Sequence, residues 1–148
     1  MQTIDRTQNT EKQLTFFLGR EEYGVAITKV QEIIRAVPIT PMPHTQPFIL
    51  GLVNLRGRVI PVVDLNRRLG MEPSQIGPLS CIVVVRCNDL HVGLLIDRMN
   101  EVVPVSSSQI EPTPIFGAAV DHDLVDRLAK IENRVVLLLD VDVLLAPR

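Results

Sequence analysis

The sequence predicts a mainly β fold: two small barrels produced by an internal duplication, with one or two short helices. Three observations carry this expectation. The apolar runs are short, rich in Val, Ile and Leu, and interrupted about every 8–12 residues by Gly, Pro, Asn or Asp. Pairs of such runs flank turn residues, the pattern of hairpins. The chain also repeats itself, with the same blocks in the same order in each half.

Residues 1–13 are polar and lack the apolar stretch of a signal peptide, so they are expected to be a flexible segment ahead of a single domain at 14–148. Runs at 14–18 and 23–27 flank Gly19-Arg20-Glu21-Glu22 and predict the first hairpin, and a third strand follows at 30–34. The segment VPITPMPHTQP (37–47) cannot be a central strand, because each proline removes a ladder donor and fixes φ. A strand at 59–63 leads to Asp64, the N-cap of a short helix that stops at Gly70. Runs at 82–85 and 92–96 flank Asn88-Asp89 as a second hairpin, and strands at 101–105 and 135–139 complete the pattern. A second proline-rich connection is VPVSSSQIEPTP (103–114), and DHDLVDRLAK (121–130) is a second helical candidate with Leu124, Val125 and Leu128 on one side.

Sliding the chain by 76 residues lays 48–70 on 124–146 without a gap, with Leu52/Leu128, Arg58/Arg134, Val59/Val135, Asp64/Asp140 and Leu69/Leu145 identical. A slide of 69 lays 23–34 on 92–103, with Gly24/Gly93, Ile27/Ile96 and Glu32/Glu101 identical. Repeated Gly, Arg and Asp are not explained by alternating aliphatics, so duplication is favoured, with subdomains at approximately 14–78 and 79–148. The repeat also aligns part of 121–130 with 48–55, against a helix there. Asp64 and Asp140 each end an apolar strand, and their repetition favours helix capping over catalysis.

Composition excludes several function classes. The chain has no Trp, one Tyr and four Phe, too few for the stacking platforms of single-stranded nucleic acid or for proline-rich peptide grooves. Fifteen Lys+Arg against 17 Asp+Glu, with no like-charged run, excludes a polyphosphate surface. No apolar stretch approaches the ~18 residues of a membrane span, which leaves a cytoplasmic protein without direct membrane insertion as the expectation. Cys81 and Cys87, six apart, fit neither a CxxC pair nor a zinc knuckle and are expected to be buried, reduced and inert. His44, His91 and His122 are scattered, and Ser106-Ser107-Ser108 lacks a nucleophile-elbow context and suits loop or capping roles. No catalytic residue, cofactor site or metal site is assigned. The alternative class is a small-ligand or metal-binding double barrel, or an enzyme, built on Asp121-His122-Asp123 with Asp97 or Glu101.

Arg56 stands apart. It lies in Asn54-Leu55-Arg56-Gly57 and its repeat partner is Glu132, so the duplicated framework does not require a cation there. A guanidinium at a turn is a planar donor fork suited to a partner's carboxylates or carbonyls.

The segments EEYGVAITKVQEII (21–34), FILGLVNLRGRVIPVVDLNRRLG (48–70) and VGLLIDRMNEVVPV (92–105) resemble the CheW family of bacterial chemotaxis coupling proteins, in order from about residue 14 to 145. The resemblance implies two five-stranded SH3-like or OB-like barrels that exchange strands, with a third apolar core between them. It implies a non-enzymatic adaptor bridging the cytoplasmic tip of a chemoreceptor and the regulatory domain of a histidine autokinase, recruited to membrane receptors through these partners. Carried over, the receptor-facing groove falls on Val30, Glu32 and Arg56, with Gly51 allowing close backbone approach, and the kinase-facing contact on Ile115 and Phe116. Arg127 stands where family members usually carry Gly, and must point outward or alter the local turn.

Overall fold

The computed structural model describes residues 10–43, 45–114, 124–125 and 127–145. The first half contributes β1 (Thr10–Leu18), β2 (Glu21–Ala26), β3 (Val30–Arg35), β4 (Ile49–Leu55), β5 (Arg58–Asp64) and α1 (Leu65–Arg68). The second contributes β6 (Cys81–Cys87), β7 (Leu90–Ile96), β8 (Arg98–Ser106), β9 (Ile110–Pro112), β10 (Arg127–Ile131), β11 (Arg134–Leu138) and α2 (Val141–Leu144).

Two sheets form, in the orders β8-β1-β2-β11-β10-β9 and β3-β6-β7-β5-β4. Under the repeat, β3, β6, β7, β5 and β4 correspond to β8, β1, β2, β11 and β10, so the sheets share one order. Each sheet takes a hairpin from the opposite half of the chain. The strand exchange therefore follows from the duplication, and the midpoint of the sequence divides the repeats without dividing the barrels. The six-stranded sheet gains β9 at its edge, beyond the five strands expected. Its counterpart in the other sheet is a single bridge between Thr40 and Leu52, where Pro41 has no N–H to extend the ladder. Both halves also carry a β-bulge, between Val30 and Glu32 in β3 and opposite the Leu14–Phe16 step of β1 in β8.

Strand alternation divides the apolar residues among three cores. The largest lies between the sheets and joins Leu14, Phe16, Leu18, Tyr23 and Val25 from one to Val83, Val85, Leu94 and Ile96 from the other. The alternate residues Ile60, Val62, Ile82, Val84 and Leu95 fill the five-stranded barrel, and Val105, Ala129, Ile131, Val136 and Leu138 fill the six-stranded one. Central strands buried on both faces have no solvent side, which explains the unbroken Ile-Val-Val-Val of β6. The two repeated glycines sit inside the barrels. A Cβ on Gly93 would lie 2.6 Å from Ile82 Cγ2, and one on Gly24 would lie 3.3 Å from Gln13 Oε1.

Both strand-end aspartates are caps. Asp64 accepts from Asn66 N at 3.1 Å, and Asp140 from Asp142 N at 3.0 Å and Val143 N at 3.3 Å. Asp64 also accepts from Ser74 N and Ser74 Oγ, at 3.0 and 2.7 Å, tying the loop after α1 to the end of β5. Ser106 and Gln109 form a reciprocal capping box on the 3-10 turn Ser107–Gln109, the local role expected of that serine run.

The second proline-rich connection lies largely in β8 and β9, both edge strands, in keeping with the expectation that it cannot be a central strand. Three expectations need correction. Arg127–Ile131 is a strand and not a helix, as the repeat with 48–55 had implied; among the described residues the second short helix is α2. β1 begins at Thr10, ahead of the expected boundary at 14, because Thr10, Glu11, Lys12 and Gln13 pair with Ser106, Val105, Pro104 and Val103 of β8. Cys81 and Cys87 are free thiols, yet half-buried because they mark the two ends of β6.

Candidate partner-binding site

The β4–β5 hairpin turns on Arg56 and Gly57, with φ of 54° and 85°. Two consecutive positive φ values match the right-handed strand twist in a two-residue hairpin. Gly57 N donates to Asn54 Oδ1 at 2.9 Å and fixes the turn. Glu132, the repeat partner of Arg56, has a φ of 55°. The left-handed backbone is thus a demand of the duplicated hairpin, whereas the side chain placed on it is free to differ.

Arg56 extends from this turn with its side chain 70% exposed and forms an ion pair with Glu32 of β3. β3 and β4 are the two edges of the five-stranded sheet, so the pair spans the rim where the barrel closes. The six-stranded barrel has the equivalent closure. Arg134 of β11 pairs with Glu101 of β8, the repeat partner of Glu32, and lies 3.1 Å from Glu22 of β2. The hydrogen bond to Glu101 raises the Arg134 pKa against the opposing pull of partial burial, and the Glu22 charge adds to the rise. Asn100 Nδ2 donates to Glu22 Oε2 at 2.9 Å.

The guanidinium comes from a different place in each barrel. Arg58, the repeat partner of Arg134, faces His91, 3.2 Å from Nε2 and 3.4 Å from Nδ1. His91 in turn stands where the other barrel has Glu22. Gln31, Glu32, Leu55, Arg56, Arg58 and His91 line one shallow, mainly polar cleft at the rim.

The structure brings Glu32 and Arg56 together and separates Val30 from them. The bulge at Gln31 leaves Val30 beside Val85 and Glu32 beside Val84. Val30 packs against the core between the sheets, whereas Val84 belongs to the barrel core. Gly51 does allow a close backbone approach, by the chain's own proline-rich segment: Thr40 and Leu52 exchange two hydrogen bonds of 2.8 Å, and a Cβ on Gly51 would collide with Thr40 O. Arg127 points outward, half-exposed and 3.9 Å from Glu11.

Ile115 and Phe116 lie outside the described residues, as do His44 and the Asp121-His122-Asp123 run. Asp97 and Glu101, its suggested companions, have structural partners. Asp97 accepts from Gly19 N at 2.6 Å and Asn66 Nδ2 at 3.2 Å, and Glu101 binds Arg134. The described aromatic rings are also engaged internally. Phe16 stacks on Tyr23, while Phe17 and Phe48 lie under Arg98 and Arg68. Burial pushes the Tyr23 hydroxyl pKa up to about 12, with Glu21 adding to the rise. No described helix is long and apolar enough to cross a membrane.

Arg58 and His91 carry no signal on their own. The repeat register held one, because it lays Arg58 on Arg134 and, extended upstream, His91 on Glu22.

A family model described as the CheW-like domain matches residues 12–147. The chain belongs to the CheW-like family. A chemotaxis protein CheW of Rhizobium meliloti (strain 1021) is 35% identical over 136 residues, covering 92% of this chain and 88% of the relative. One of Bacillus subtilis (strain 168) is 34% identical over 136 residues, covering 91% and 86%. The crystal structure of the scaffolding protein TtCheW from Thermoanaerobacter tengcongensis aligns with a TM-score of 0.86 at 33% identity, over 95% of each chain. The two-barrel fold is therefore the CheW fold, and the function is that of a chemotaxis coupling scaffold. These relatives give no support to the small-ligand or metal-binding alternative.

Proposed function

We propose that this chain holds the cytoplasmic tip of a chemoreceptor and the regulatory domain of a histidine autokinase together, and that it does so by binding alone. The observation that carries this reading is the exposed Arg56–Glu32 pair at the rim of the five-stranded barrel. It is presented on a hairpin whose backbone is repeated but whose cation is not. Arg56 and Glu32 offer donors and acceptors to a helical receptor hairpin. Val30 supports β3 from the core side, and Gly51 lets the backbone at Thr40 and Pro41 pack beside β4. The kinase contact falls on Ile115 and Phe116, following the family. In this account the chain resides in the cytoplasm and reaches the membrane only through its receptor.

A scaffold changes kinase output only by differential affinity: it must bind the kinase's active arrangement more tightly than the inactive one. Co-purification with receptor and kinase, followed by an autophosphorylation assay with and without the chain, tests this. The reading requires a ternary complex in which phosphorylation depends on the chain. Binding of only one partner, or phosphorylation unaffected by the chain, would contradict it.

A further inference from the structure

We propose that Arg58, backed by His91, is a carboxylate-binding fork in the rim cleft, and that it takes an acidic side chain from the receptor helix. The inference rests on the receptor reading of the Arg56–Glu32 rim and adds the chemistry that the partner must present.

The two barrels provide an internal comparison. At four equivalent positions the six-stranded barrel has Glu22, Glu101, Glu132 and Arg134, and the five-stranded barrel has His91, Glu32, Arg56 and Arg58. One arginine among three carboxylates has become two arginines with one carboxylate and a histidine. The geometry of the framework is the same, since Arg56 and Glu132 share their positive φ and both barrels close on a glutamate of the bulged strand. The sign of the rim has therefore changed without a change in its structure.

The consequence falls on Arg58. In the other barrel Arg134 is neutralised by Glu101 and Glu22. In this one Glu32 is engaged by Arg56, and the position of Glu22 is held by His91. Among the described residues the only hydrogen-bonding neighbour of Arg58 is that imidazole. A neutral imidazole can accept one N–H, which orients the guanidinium without cancelling its charge. The remaining donors of an exposed fork face the same cleft as Arg56. A carboxylate is the ligand that matches such a fork bidentately and restores the charge balance of the other barrel.

His91→Glu is the discriminating variant, because it installs the residue that the same framework already carries at Glu22 and so supplies the carboxylate from within. With a soluble cytoplasmic-tip fragment of the cognate receptor, affinity should fall about tenfold or more for both His91→Glu and Arg58→Glu. Arg58→Lys, which keeps the charge and loses the fork, should fall between those variants and the parent. Circular dichroism and kinase binding should stay unchanged in all three. Reversal of one acidic residue on the fragment to Arg should restore binding to Arg58→Glu. Parent-like affinity in His91→Glu and Arg58→Glu, alongside weakened binding by Arg56→Glu, would overturn the carboxylate fork and leave the receptor reading standing. Parent-like affinity in all of these variants, or no binding by the parent, would overturn both.

Discussion

Arg68 donates from Nε to the carbonyl oxygen of Leu144 at 3.2 Å, and Leu144 is the residue that the repeat superimposes on Arg68. The two short helices thus meet near the pseudo-symmetry axis, with one copy's arginine closing the other copy's last turn. The carbonyl needs a donor, because the end of a helix leaves it without an internal partner. Arg68 is only 7% exposed, and its guanidinium also lies 5.1 Å over the Phe48 ring.

Arg68→Met keeps an apolar stem of similar length and removes the donor. Urea unfolding should show a loss of about 1–3 kcal/mol, the cost of leaving a buried acceptor unsatisfied. Receptor affinity per folded molecule should not change, because Arg68 is remote from the rim cleft in the contacts it makes.

The glycines are predicted to differ in a graded way. Gly93→Ala places a methyl 2.6 Å from a side-chain methyl of Ile82, which can shift, so the cost should be about 1–3 kcal/mol. Gly24→Ala meets its nearest neighbours at 3.3 Å and should cost less. Gly51→Ala drives into the Thr40 backbone and should be the worst, at least about 2 kcal/mol, with added protease sensitivity in 37–47. Equal stabilities by thermal or urea unfolding would count against this packing.

The two caps should separate as well. Asp140→Ala removes two cap hydrogen bonds at a half-exposed site and should cost about 1 kcal/mol. Asp64→Ala removes the cap and both Ser74 contacts at a site 1% exposed, and should cost about 3 kcal/mol. Chemical denaturation of the pair checks the order.

Cys87 donates from Sγ to Asp142 Oδ1 at 3.1 Å. That hydrogen bond raises its pKa, with local desolvation and the Asp142 charge in the same direction. A raised thiol pKa means less thiolate at a given pH, hence slow alkylation. Asp142→Asn should lower the pKa and speed iodoacetamide labelling near pH 8. An unchanged rate, with labelling assigned to Cys87 by mass spectrometry, would contradict the assignment.

Phe116→Ser should weaken kinase-domain binding while receptor affinity stays the same. A kinase affinity equal to the parent's would remove this ring from the interface.

The strands, the duplication and both aspartate caps were legible because each has a local cause: β-branched runs, repeated Gly, Arg and Asp, and a carboxylate ahead of a short helix. The sheet order was not legible, since hairpins carried across to the other half make no local signal; only the exchange of strands was implied, by the family resemblance. The 121–130 segment misled because Leu124, Val125 and Leu128 satisfy a helical spacing that long-range pairing of Arg127–Ile131 with β9 and β11 overrides. At the site, Arg56 was visible as a break in the repeat. Its partner Glu32 looked like a shared element because Glu101 matches it, and that identity reflects a rim closure common to both barrels. Val30 was placed in the groove by the family resemblance; in the structure the bulge at Gln31 sets it beside Val85, against the core between the sheets, while Glu32 faces Arg56. Arg58 was hidden for the opposite reason: it is identical to Arg134, and what changed was the residue across from it.

The central claim is that the Arg56–Glu32 rim is the receptor contact and is separate from the kinase contact. Titrating Arg56→Glu with a receptor cytoplasmic-tip fragment and, in parallel, with the kinase regulatory domain tests it most directly. The account predicts receptor affinity at least about tenfold weaker, kinase affinity and circular dichroism unchanged, and loss of receptor-dependent phosphorylation. Unchanged receptor affinity, or equal loss toward both partners, would contradict it.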